Sequence, residues 1–214
     1  MRTSEEIIKI MIDMGLTYEE IGHMLYMKGD MEGYSKVTDK TKWRELVVAE
    51  KLGHIAHKKI SAGAGTLEYG SDALDAVSKR YAEYKSQAIL DTGTSSVNNL
   101  LERVKNKKTG VRFASLVVKG VYNGFNGNVE TATIEYAKKD HYFGVFYKEL
   151  CVLVIKVNTD YVMESLTANY KIYEEKERNG KAKTKNCNSV SVNLGDTHLY
   201  EVAYRNETWW NDNK

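Results

Sequence analysis

The sequence predicts an α/β protein, a mixed β-sheet flanked by helices, preceded by a helical N-terminal segment. Three observations carry this. Apolar residues recur at helical spacing over the first third of the chain. After that, β-branched and aromatic runs alternate with helical stretches, the order expected of a mixed sheet rather than of separate all-α and all-β parts. The 214 residues are 42% hydrophobic and 28% charged, enough for one sizeable core, and no linker or internal repeat divides them. The whole chain, 1–214, therefore reads as a single domain.

The elements follow in order. Residues 4–28 read as two short helices, with Ile7, Ile8, Met11 and Ile12 on one stripe and a break at Gly15. Thr17, with Glu20 three residues on, is a capping-box signature for the second. This pair resembles the opening helices of a helix-turn-helix. It fits a DNA-contacting or dimerising segment over 1–40, and it equally fits a plain helical hairpin. Residues 29–40 are polar and glycine-containing and read as a loop. Trp43, Leu46, Val47 and Leu52 mark a helix over 41–53 that stops at Gly53. Ser61–Gly65 is a connector, and no Gly-Lys-Ser/Thr follows it to make a phosphate loop. Residues 66–90 are extended, and 95–106 form a helix. Val111–Tyr122 is a strand and Asn123–Asn128 a loop. A helix over 129–139 precedes strands at 141–148 and 150–157. A long helix from 159 runs into the charged tract Glu174–Arg178, and 188–205 alternates as one or two strands. Trp209 and Trp210 read as a packing anchor.

Bulk properties narrow the function classes. A formal net charge of +2 does not by itself indicate nucleic-acid binding, so any DNA-facing surface has to come from clustering of the 31 basic residues. Cys151 and Cys187 are too few for a disulfide framework and suit reduced thiols in a cytoplasmic protein. No run reaches the ~18 apolar residues of a membrane span, and Met1–Glu6 lacks a signal-peptide core.

The chemistry concentrates between Gly70 and Ser86. Glu83 and Lys85, two apart on a strand, share one face, and Tyr84 points to the other. A turn through Val77–Lys79 brings Asp72 opposite 83–85. Asp75, nearer the turn and of opposite parity, reads as a solvated turn residue. Two carboxylates can hold Mg²⁺, which keeps several waters and accepts phosphate oxygens. A lysine beside them can orient or deprotonate the attacking water and offset charge on the phosphorane. A bare Glu-x-Lys is weak: Glu174-Glu175-Lys176 is another, inside a solvated charged helix. The hairpin context distinguishes 83–85.

Gly70-Ser71-Asp72-Ala73 followed by Glu83-Tyr84-Lys85-Ser86 resembles the active-site hairpin of the PD-(D/E)xK nucleases, small type II restriction endonucleases above all. The likeness is close over about 20 residues and looser over the helix before and the helix after. It implies a restriction-endonuclease-like core, Mg²⁺-dependent hydrolysis of duplex DNA (Mn²⁺ substituting), and a homodimer on a palindromic site. Asp72, Glu83 and Lys85 take the three motif positions, Asp72 and Glu83 as metal ligands. Ser71 replaces the proline that names the motif. Glu68 and Glu45 are candidate supporting carboxylates, or ordinary surface charges. Ser86 and Gln87 are candidates to bond DNA or water, or they simply continue the strand. Lys105, Lys107 and Lys108 fit phosphate contacts, and Asn123 and Asn126 fit base readout. His54 and His57 lack a second ligand pair for zinc and suit solvent or phosphate at a helix end. Two further functions stay open: a structure-specific repair, recombination or phage endonuclease, and a non-enzymatic helix-turn-helix regulator.

Overall fold

The computed structural model describes residues 3–16, 18–37, 40–56, 71–89, 117–122, 134–147, 150–180 and 189–212. Its centre is a six-stranded mixed sheet in the order β1-β2-β3-β5-β6-β8. The strands are β1 (Ile55–Ala56), β2 (Ala73–Leu74), β3 (Tyr81–Ile89), β5 (Lys139–Tyr147), β6 (Leu150–Val157) and β8 (Tyr200–Arg205). β3 and β5 run parallel, and the other neighbours are antiparallel. A separate ribbon pairs β4 (Val117–Val121) with β7 (Ser189–Asn193).

Each face of the sheet is covered, which is why β5 and β6 are buried almost throughout and, past the polar Lys139–His141 start of β5, read as mostly apolar runs. Four helices cover one face: α1 (Ser4–Asp13), α2 (Tyr18–Met27), α3 (Met31–Val37) and α4 (Lys40–Leu52). Ile8, Met11, Ile21, Leu25, Tyr34 and Val48 pack there with Ala82, Tyr84, Tyr142, Phe146 and Val154. The N-terminal helices are therefore part of the main core and not an appendage to it. At Gly144 an added Cβ would meet Val48 Cγ2 at 2.8 Å, so the glycine lets α4 seat directly on β5. α4 ends as expected at Gly53, whose φ of +68° suits a residue without Cβ.

The other face carries α5 (Thr159–Arg178), α6 (Glu207–Asp212) and the β4–β7 ribbon. The Asn158 side chain caps α5 by accepting the Asp160 N–H at 2.8 Å, and Lys176 and Arg178 occupy its last turn. Tyr161 donates to the Ser191 carbonyl at 2.8 Å, tying α5 to the ribbon. A register shift on β6 leaves Val152 outside the β5 ladder. Its carbonyl accepts the Asn206 N–H at 3.1 Å and the Trp210 Nε1–H at 2.8 Å. Trp209 and Trp210, both buried, thus anchor α6 to the bulge as their sequence context suggests.

The structure corrects the element boundaries in two places. Residues 29–40, expected as a loop, contain α3: the Asp30 carboxylate accepts the Gly33 N–H at 2.9 Å as a cap, and Tyr34 is wholly buried. The helix expected over 129–139 is helical at 134–137 among the described residues, and the strand begins at Lys139 rather than 141. Within the extended 66–90 stretch, the described residues form the expected hairpin: a two-residue β2, a turn and β3. No helix among the described residues is long and apolar enough to cross a membrane.

Candidate active site

The hairpin closes as the spacing indicates. Ala73 pairs with Ala82 and Leu74 with Tyr81, and the Asp72 N–H donates to the Ala82 carbonyl at 2.9 Å. Asp75 shapes the turn: its carboxylate accepts the Val77 N–H at 2.8 Å and the Ser78 hydroxyl at 2.5 Å. Lys79 closes the turn at φ +60°, in the left-handed region. Asp75 is accordingly a turn residue, separate from the carboxylates of the site.

Asp72 and Glu83 come together beside Lys85. Asp72 Oδ2 accepts the Tyr84 N–H at 2.7 Å from across the hairpin. Burial, then the like charges of Glu83 and Glu45, push the Asp72 carboxyl up to about 7, against the opposing pull of Lys85 and the Tyr84 N–H. Glu45, on α4, is thereby shown to be an electrostatic neighbour of the site. Tyr84 points away from Glu83 and Lys85, as strand parity requires. It is buried in the helical layer, its hydroxyl 2.7 Å from His54 Nδ1.

Glu83 is buried with both oxygens engaged. Oε1 accepts from Lys85 Nζ at 2.5 Å and Oε2 from Lys139 Nζ at 2.9 Å. Burial alone would raise its carboxyl, but the two ammoniums outweigh burial and hold it below the usual range. Burial likewise works against the charge on Lys85, and the anions Glu83 and Asp72 overcome it and raise the ammonium. The Lys85 stem runs against Gly120 on β4, where an added Cβ would lie 3.0 Å from Lys85 Cγ and 2.9 Å from the Phe143 ring. Its ammonium lies 5.1 Å from the centre of the Tyr122 ring.

Lys139, His141 and Tyr122 were not legible as site residues. Parallel pairing sets His141 directly opposite Glu83 and Lys139 opposite Tyr81, all on the face of Glu83 and Lys85. His141 Nε2 donates to the Tyr136 carbonyl at 2.9 Å, which leaves Nδ1 as the bare acceptor. That Nδ1 and the Tyr122 hydroxyl are both buried, and among the described residues neither has a hydrogen-bond partner. Burial pushes His141 down to about 4, so its ring is neutral. The available signal was the polar run Lys139-Asp140-His141 opening an apolar strand, with 139 and 141 of one parity.

The remaining candidates divide as follows. Ser86 and Gln87 continue β3, and Gln87 Oε1 accepts the Lys119 N–H at 3.0 Å, fastening the ribbon to the sheet. Glu68, His57, Lys105, Lys107, Lys108, Asn123, Asn126 and Cys187 lie outside the described residues, as does the Thr17 cap. Cys151 is a buried free thiol, pushed up to about 12 by burial. Glu174, Glu175 and Lys176 lie on α5, where Glu174 pairs with Arg178. A cavity of about 400 Å³ opens elsewhere, between Lys156, Asn158, His198 and Glu201, and includes none of the hairpin residues.

Among the described residues, no three His, Cys, Asp or Glu side chains form a ready-made metal cage. Mg²⁺ does not require one, since one or two carboxylates hold it together with water and substrate phosphate. Asp72 and Glu83 are carboxylates of that kind, and a cation would relieve the part of the Asp72 rise that the Glu83 and Glu45 charges add to burial. The donor set therefore fits a hard divalent ion. No family model matches this chain, and no curated protein matches its sequence.

Proposed function

We propose that this chain is a type II restriction endonuclease that hydrolyses phosphodiester bonds of duplex DNA at a short specific sequence. Asp72 and Glu83 hold Mg²⁺, with Mn²⁺ as a substitute, and Lys85 faces the attacking water. One observation carries the reading: an aspartate, a glutamate and a lysine converge across one β-hairpin, the two acids close enough to raise Asp72 and the lysine bonded to Glu83. A carboxyl held up to about 7 by burial and by the charges of Glu83 and Glu45 is the kind of perturbed group that gathers at functional sites.

When bound, Mg²⁺ supplies Lewis acidity and an acidified water. The protein's own groups do the rest. The Tyr84 N–H orients Asp72, and Glu45 adds negative charge nearby. Lys85, held as an ammonium, offsets charge as it builds on the phosphate and orients the nucleophile. The restriction-type specificity and the homodimer rest on the resemblance of Gly70–Ser86 to the PD-(D/E)xK hairpin.

The test is incubation of the protein with long linear duplex DNA and Mg²⁺. Discrete fragments are expected, with cutting lost in Asp72→Ala and Lys85→Ala and DNA binding retained by the lysine variant. A smear, or cutting confined to branched junctions, would indicate the structure-specific endonuclease instead. Intact DNA across a range of salts and divalent metals, with binding unaffected by Asp72→Ala, would point to a non-enzymatic DNA-binding regulator.

A further inference from the structure

Glu83 carries two lysines, and they are not equivalent. The Lys139 side chain is 3% exposed and the Lys85 side chain 21%. Lys139 is fixed at the start of β5. Its backbone pairs opposite Tyr81, its carbonyl accepts the Thr159 hydroxyl at 3.2 Å, and its ammonium lies 4.7 Å from the centre of the Tyr136 ring. A cation enclosed in this way cannot follow a ligand outward. Lys85 is more open and answers to Asp72 as well as Glu83.

A buried carboxylate stripped of its last counter-ion is strongly destabilised. Lys85 can therefore turn from Glu83 to a substrate only if other cations balance the site: a bound Mg²⁺ would offset two of the charges of Asp72, Glu83 and Glu45, and Lys139 the third. We propose that Lys139 is a positioning residue of this site: the fixed counter-ion of Glu83 that frees Lys85 to meet a phosphodiester. The inference rests on the nuclease reading and adds a residue to it. Without Lys139, Lys85 becomes the one lysine on Glu83 among the described residues and is drawn back to it. Removing a positive charge 2.9 Å from a metal-holding carboxylate also strengthens its attraction for a divalent ion.

The experiment uses the full chain, with Mg²⁺ titrated calorimetrically into the wild type, Lys139→Met and Lys139→Arg, alongside steady-state cleavage of duplex DNA. Lys139→Met is expected to bind Mg²⁺ at least as tightly as the wild type, to keep its KM for DNA, and to lose about 10²-fold in kcat. Lys139→Arg, which keeps the charge, recovers most of that rate. A folded Lys139→Met that cuts at the wild-type rate, or that loses Mg²⁺ affinity and rate together, overturns the proposal. Should circular dichroism show Lys139→Met unfolded, acetylation of wild-type amines read by mass spectrometry decides the matter. Lys85 should be modified and Lys139 protected, and equal modification overturns the division of roles. A wild type that cuts no DNA rejects the nuclease reading, while the acetylation ratio and the Mg²⁺ affinities still judge Lys139.

Discussion

Asp72 and Tyr84 are joined across the hairpin by a 2.7 Å hydrogen bond from the Tyr84 N–H to Asp72 Oδ2. The bond fixes the aspartate beside Glu83. Asp75, three residues on, spends its carboxylate on Val77 and Ser78. The two aspartates should therefore respond oppositely to replacement. Asp72→Ala is expected to abolish Mg²⁺ binding and to slow cutting by 10²-fold or more, to order of magnitude. Asp75→Ala should cost about 1 kcal/mol of stability and leave both intact. Calorimetric Mg²⁺ titration, a cleavage assay and urea denaturation of the two variants check this.

The Asp72 carboxyl rises from an ordinary 3.8 to about 7 through burial and the charges of Glu83 and Glu45. Between those values the folded protein keeps a proton that the unfolded chain has released, so stability falls as pH rises through the window. Above about 7 the penalty is complete. Asp72→Asn should then be more stable than the wild type at pH 8, by about 1–2 kcal/mol after discounting for partial exposure. At pH 4 the difference should vanish. Mg²⁺ should stabilise the wild type at pH 8 and leave Asp72→Asn unmoved. Thermal denaturation at the two pH values, with and without Mg²⁺, measures all of these.

His141 gives the opposite slope. Its folded value, about 4, lies below the ordinary 6.5 because burial disfavours the imidazolium. The unfolded chain takes up a proton that the folded one refuses. The contribution is therefore complete above about 6.5 and is lost as pH falls towards 4. It amounts to at most about 3 kcal/mol. His141→Phe should flatten the acid limb of the stability curve, which urea midpoints at pH 4.5 and 7.5 would register.

Gly144 lets α4 sit on β5, and a Cβ there meets Val48 Cγ2 at 2.8 Å and the Phe146 ring at 3.1 Å. Gly144→Ala is expected to cost about 1–3 kcal/mol by forcing the helix layer outward. Gly144→Ala combined with Val48→Ala should recover part of the loss, and denaturation of the single and double variants measures it.

What could be read from sequence was whatever obeys a short period. Glu83, Tyr84 and Lys85 alternate because a strand has period two, and their faces followed directly. Asp75 as a turn residue, Gly53 as a helix stop and the long helix from 159 are equally local features. α3 escaped because its composition is that of a loop, and its order comes from the Asp30 cap and the burial of Tyr34. Lys139 escaped for a different reason. Its place beside Glu83 is set by the parallel register of β3 and β5, and nothing local specifies that pairing.

That register has a kinetic consequence. Asp72, Glu83 and Lys85 lie within fourteen residues of one another, so the hairpin can bring them together early and at little loop-closure cost. The contact of Lys139 with Glu83 spans 56 positions and waits on a parallel pairing, a slow kind of contact to form. The constellation should therefore mature in two stages: an acidic hairpin first, and a charge-balanced centre only once β5 has docked.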